Sequence, residues 1–225
     1  MIFIEINQNF GEQTQHLILF IITASIIWLS LVLFTYKRHG IKKTGMYFIP
    51  MIIAALFIES AGVAGGRYYY PGYLIYLSVV GGGVPLIIVL SWSANLVLFM
   101  SMSRNVISKI YKKHNHLQTI LISITAGLFA VFLDMLEDPI AHHNSWWIWK
   151  GSLEGLKFYD VPVLNFVGWF ILIFFMTLAT LLIERSNFSE NRKLLISISS
   201  ISVTGVVIFV VHGLLLRVLQ MIGFA

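Results

Sequence analysis

Met51-Ile52-Ile53-Ala54-Ala55-Leu56-Phe57-Ile58-Glu59-Ser60-Ala61-Gly62-Val63 is apolar except for Glu59 and its serine neighbour. It lies in a longer apolar run, 46–64, and a run of about 20 such residues is what a helix needs to cross a bilayer. Comparable runs occupy 17–36, 84–102, 117–136, 162–183 and 194–219. The whole composition agrees. Of 225 residues 58% are apolar and 11% charged, with a mean hydropathy of +0.85, whereas a soluble domain has about 45–50% apolar and about 25% charged residues. These values exclude an ordinary soluble core, a disordered chain and a nucleic-acid-binding module. The expected fold is all-α: a single integral membrane domain over 1–225, a polytopic bundle of six helices. Before the third span, Gly81-Gly82-Gly83-Val84-Pro85 would break a helix, so 74–80 is expected as a short re-entrant or interfacial piece.

The net charge of +5 sits mainly in short links. Lys37, Arg38, Lys42 and Lys43 follow span 1. Arg104, Lys109, Lys112 and Lys113 follow span 3, and Arg185, Arg192 and Lys193 follow span 5. Eleven of the fifteen basic residues thus lie on alternate links, which the positive-inside rule assigns to the cytoplasm. The expected localisation is the cell membrane, multi-pass, with both termini outside. The segment before span 1 carries Glu5 and Glu12 and no basic residue, the reverse of a secretory signal, so span 1 is expected to be retained.

In this orientation the unusual residues gather toward the outer half. Glu59 lies well past the middle of its span. An ionisable group at such depth costs about 2.5–3.5 kcal/mol on insertion scales, which a partner such as Arg67 or protonation must offset. Asp134 and Asp138 share one helix face, with Glu137 beside them. Three acids within five residues repel one another unless some hold protons, and Pro139 is expected to end their helix. Trp146, Trp147, Trp149 and Tyr159 fit either an aromatic belt or the wall of a pocket whose π faces meet a cation. Asn165 and Trp169, one turn apart, can line the same place.

Other chemistries are weakened. Absence of cysteine removes disulfides, thiolate metal sites and cysteine nucleophiles. His114 and His116 lie in one link and His142 and His143 in another on the opposite side, so they cannot share a metal. A smaller site from His142, His143 and nearby acids stays open. All nine lysines lie outside the spans, which disfavours a Schiff base, and His-Glu-x-x-His is absent. No metal and no cofactor is expected.

The ordered motifs resemble a known family. Glu59 followed by Gly62, Gly65-Gly66-Arg67-Tyr68-Tyr69-Tyr70, then Gly83-Val84-Pro85-Leu86 with Trp92, resemble successive blocks of the CruF-type carotenoid 1,2-hydratases. Asp134-Met135-Leu136-Glu137-Asp138-Pro139-Ile140-Ala141 resembles that family's D-x-x-x-D-P-x-A signature. Trp147-x-Trp149, Tyr159, Val161-Pro162, Asn165 and Gly168-Trp169 follow in similar order. The likeness runs from Glu59 to Trp169; Glu137 is an acid where the family pattern has an apolar residue.

The resemblance implies a membrane hydratase that adds water to the terminal C=C of an acyclic carotenoid. Glu59, Asp134 and Asp138 would be the catalytic acids. Arg67, Tyr68, Tyr70, Trp92, Glu137, Trp147, Trp149, Tyr159, Asn165 and Trp169 would surround the substrate. The partners would be a lipid-dissolved polyene or other isoprenoid, water and membrane lipids, with no nucleic acid; the oligomeric state stays open. Two alternatives stand beside this reading: a hydratase of another prenyl lipid, and a small transporter or lipid-binding protein whose broken stretch at 81–85 lines a path.

Overall fold

The computed structural model describes residues 2–6, 15–79, 81–150 and 156–203, with 207 and 210. It is an all-α bundle in which four helices are long and apolar enough to cross a membrane: α1 (Gln15–Ala64), α2 (Leu86–Ile110), α3 (His116–His143) and α4 (Val163–Arg185). The first two expected spans both lie in α1. They are separated at Gly40, whose φ of 78° and ψ of 173° are non-helical and suit a residue without Cβ. Trp28 meets Phe48 edge to face, 6.4 Å between centroids, and Phe20 shares a cavity wall with Ile58. The two halves of α1 therefore fold back on each other as a hairpin. Of the sixth expected span, α5 (Glu190–Ile196) and a π-helical turn at Ser197–Ile201 are seen; most of its remainder lies outside the described residues.

α1 packs along α2, and α3 along α4, with α2 against α3. Two apolar cores fill the bundle. One is built around Met51, Val89, Ala126, Ala130 and Ile173, the other around Met46, Phe48, Val97, Met100, Ile122 and Leu181. Beside the second, Glu184 accepts from Tyr47 (2.8 Å), pairs with Lys43 (3.5 Å) and pairs closely with Arg104. This ties residues of three separate basic or adjacent segments together at one end.

The other end carries short strands: β1 (Phe3–Ile6), β2 (Tyr68–Tyr69), β3 (Ile75–Ser78), β4 (Gly83–Pro85), β5 (Ile148–Trp149), β6 (Lys157–Phe158) and β7 (Val161–Pro162). β3 lies between β1 and β4, antiparallel to both. Within the piece expected at 74–80 as re-entrant or interfacial, Ile75–Ser78 form strand β3, whose backbone groups pair with β1 and β4. Gly82 is pressed against the last turns of α1, where a Cβ would overlap the Ser60 carbonyl. Gly81 and Gly82 thus lie between β3 and β4, fitted onto the end of α1.

A correction concerns Pro139. α3 continues through it to His143. The helix closes instead where Ser145 adopts φ 57°, with Trp146 N–H donating to Ala141 C=O (2.8 Å) and Ser145 N–H to His142 C=O (3.1 Å). This is a Schellman closure with a serine at its left-handed position. Proline removes one donor and crowds one carbonyl, but three later backbone bonds hold the final turn. α1 closes the same way with Gly66 at φ 71°, through Arg67 N–H to Gly62 C=O (3.2 Å) and Gly66 N–H to Val63 C=O (2.9 Å).

Candidate functional site

The two Schellman ends decide where the aromatic links go. Each turns the chain back over the helix it has just left. β2 and β5 then pair antiparallel, with Tyr68 opposite Trp149, and the Lys150 N–H donates to the Arg67 carbonyl (2.9 Å). The two outgoing links are thereby stitched into one cover over the ends of α1 and α3. Tyr68 and Tyr70 hang from that cover toward Glu59.

Glu59 is 6% exposed and fully supplied with donors. Tyr68 and Tyr70 hydroxyls both donate to Oε2 at 2.7 Å, and the Trp92 indole N–H donates to Oε1 at 2.6 Å. Bonds to a charged group contribute about 1.5–3 kcal/mol each, so three of them offset the roughly 2.5–3.5 kcal/mol of burying a carboxyl in a membrane. Burial, then the neighbouring Glu59, pushes both phenols well above the usual tyrosine range, so they remain donors. Gly62 is the residue that allows this: a Cβ there would overlap the Tyr68 hydroxyl and ring.

Across the bundle Asp134 and Asp138, 0% and 3% exposed, project from adjacent turns of α3. The Asn165 side-chain N–H₂ donates to both, 2.8 Å to Asp134 Oδ2 and 2.7 Å to Asp138 Oδ2. The one Asn165 amide thereby bridges the two carboxyls, and Asp134 Oδ1 is buried with no donor among the described residues. Trp147, from the cover, lines the same cavity as Asp138. Between the two groups of acids, Trp92 of α2 and Trp169 of α4 stack with centroids 4.0 Å apart and planes 27° from parallel.

These side chains surround one cavity of about 140 Å³. Of the residues expected at a site, its wall holds Glu59, Arg67, Tyr68, Tyr70, Trp92, Glu137, Asp138, Trp147, Trp149, Asn165 and Trp169. Asp134 stands just behind Asp138. Tyr159 is the exception: it sits in the β6–β7 turn at φ 47°, is 74% exposed and packs on Phe158, outside the cavity. The turn geometry aims it away from the bundle. Trp146 is likewise not on the wall; it stacks on Phe20 at 4.7 Å and supports the cover.

The structure adds residues that the motifs did not point to. Phe20, from the first half of α1, closes one side. Ser91 and Asn95, both on α2, put polar groups on an otherwise apolar stretch of wall; their signal was two polar residues four apart inside an apolar span. The metal alternative finds no group of three ligand-type side chains among the described residues. His142 Nδ1 instead accepts from the Trp149 backbone N–H (3.3 Å).

Fold and site define a membrane-helix protein with a buried carboxyl site walled by aromatic rings. Residues 16–224 match the family described as carotenoid biosynthesis protein, and the chain belongs to that family. It is thus a membrane protein of carotenoid biosynthesis, a role that implies a lipid-soluble isoprenoid substrate. No curated protein and no solved structure matches the chain.

Proposed function

We propose that this protein is a hydratase that adds water across the terminal C=C of an acyclic carotenoid. The observation that carries the reading is the meeting of two unlike carboxyl sites on one small, aromatic-walled cavity. Glu59, facing three donors, is arranged as an anion. The Asp134–Asp138 pair is arranged to hold one proton: two buried carboxyls bridged by the single Asn165 amide repel each other when both are charged, and sharing a proton relieves this.

In the reaction Asp138 gives that proton to the less substituted carbon of the end-group alkene, and the π electrons form the new C–H bond. The other carbon becomes a tertiary cation. Glu59 and the faces of Trp92 and Trp169 stabilise it; a desolvated cation–π contact contributes about 2 kcal/mol, and a fixed anion acts most strongly where water is excluded. A water oxygen bonds to the cation, and its released proton returns to the aspartate pair. Substrate plus water equals product, and the acids end as they began.

The cavity's size supports the substrate class. A cavity of about 150 Å³ holds a benzene-sized group, so 140 Å³ takes an isoprenoid end and not a whole polyene. The rest of the polyene stays outside the cavity, in the surrounding lipid. We take the basic end, with Lys43 and Arg104, as cytoplasmic and the strand-bearing end as outer.

The test is mass analysis of pigments and prenyl lipids from a lycopene-producing host expressing the chain. The expected result is a carotenoid heavier by one water, absent with Asp138→Asn. A hydrated prenyl lipid beside unchanged carotenoids would move the substrate. No change in either pool, with well-folded protein in the membrane, would overturn the reading.

A further inference from the structure

Ser91 and Asn95 have no part in the chemistry above, yet both line the same cavity. They are four residues apart on α2, so their side chains are neighbours, with Cβ atoms about 5–6 Å apart. The Ser91 hydroxyl oxygen is buried without a hydrogen-bond partner. The Asn95 amide makes no hydrogen bond among the described residues. Ser93, between them in sequence, shows the contrast: it accepts from the Trp28 indole (3.0 Å) and donates to the Leu90 carbonyl (2.7 Å), a purely structural tie. The nearby polar groups are also engaged, Glu59 by three donors and Asp138 by Asn165.

A buried polar group without a partner in a native fold points to a bound water. The Ser91 hydroxyl is such a group, and the half-buried Asn95 amide, one turn along on the same cavity wall, adds a donor and an acceptor for a single water molecule. We propose that Ser91 and Asn95 hold the water that attacks the cation. This rests on the hydratase reading and adds the one reactant which that reading leaves unplaced. The ledge accepts one of the water's hydrogens and leaves an oxygen lone pair for the tertiary carbon. The C–O bond forms from that lone pair, and the second hydrogen passes as a proton to the aspartate pair.

Protonation of the alkene and capture by water are separate steps, and solvent deuterium separates them. A cation that is not captured loses a proton from the same carbon or from a methyl group and returns to alkene, now carrying deuterium. With purified protein and an acyclic carotenoid in D₂O, two quantities are read: deuterium in recovered substrate and yield of hydrated product. Ser91→Ala and Asn95→Leu are expected to raise the exchange-to-hydration ratio about tenfold, with exchange continuing. Ser91→Thr, which keeps the hydroxyl, is expected to stay near the wild-type ratio. If exchange and hydration fall in proportion, or the ratio does not move, the ledge has no role in holding water and the proposal is overturned. Wild-type protein showing neither exchange nor hydration would instead overturn the hydratase reading, and this inference with it.

Discussion

A single glutamate in an apolar helix is tolerable here because three neighbours aim donors at it. Removing the charge therefore has two separable effects. In Glu59→Gln one amide oxygen must serve Tyr68, Tyr70 and Trp92, and the new N–H₂ faces donors; leaving a buried donor unmet costs about 1–3 kcal/mol. The cation also loses its counter-charge. We expect hydration to fall about 100-fold or more with a modest drop in detergent-solubilised Tm. Asp138→Asn should abolish proton transfer at a smaller cost in stability, since Asn165 keeps an oxygen to donate to. Product yield per folded protein checks both, and full activity in both variants would refute the assignment. Glu59, Asp134 and Asp138 are legible in the sequence because carboxyls are rare in membrane spans. Ser91 and Asn95 are not, because such side chains commonly satisfy themselves on their own helix backbone, and only the structure shows that these two do not. Tyr159 goes the other way: an aromatic residue in a link fits a belt or a wall equally, and its orientation is set by a left-handed turn that no motif announces.

Among the elements, the helix ends do most to build the site. Gly65-Gly66 announces the α1 closure, because glycine takes the left-handed position freely. The α3 closure uses Ser145 and is not legible; Pro139 is the stronger signal and it misleads, since a proline four residues inside a helix end can be bridged by the closing bonds. The pairing of β2 with β5 is also hidden, as two-residue strands have no period to read. The fit between the α1 end and its cover is testable at Gly62. Gly62→Ala is a favourable change for an isolated helix, by about 1 kcal/mol, yet here the methyl group displaces Tyr68 from Glu59. We expect hydration to drop at least tenfold while α1 stays helical by circular dichroism. Unchanged hydration would show that Tyr68 is not needed on the carboxylate.

For the whole molecule, the apolar runs and their charged links make the all-α membrane class plain, and the fold keeps five of the six expected runs on long helices, two of them as the hairpin of α1. The lack of cysteine makes the orientation easy to check. Single cysteines at Lys150 and at Lys112 are expected to react with a membrane-impermeant maleimide from opposite faces, Lys150 from outside intact cells and Lys112 only after permeabilisation; labelling of Lys112 in intact cells would invert the topology. The central claim is more chemical: water itself is added, by acid catalysis, in one cavity. It is tested most directly by incubating purified protein with an acyclic carotenoid in water labelled with heavy oxygen, without any added oxidant. The account predicts one labelled hydroxyl per reacted end and no net change in oxidation state. A hydroxyl carrying unlabelled oxygen, or a product with a further double bond, would contradict it.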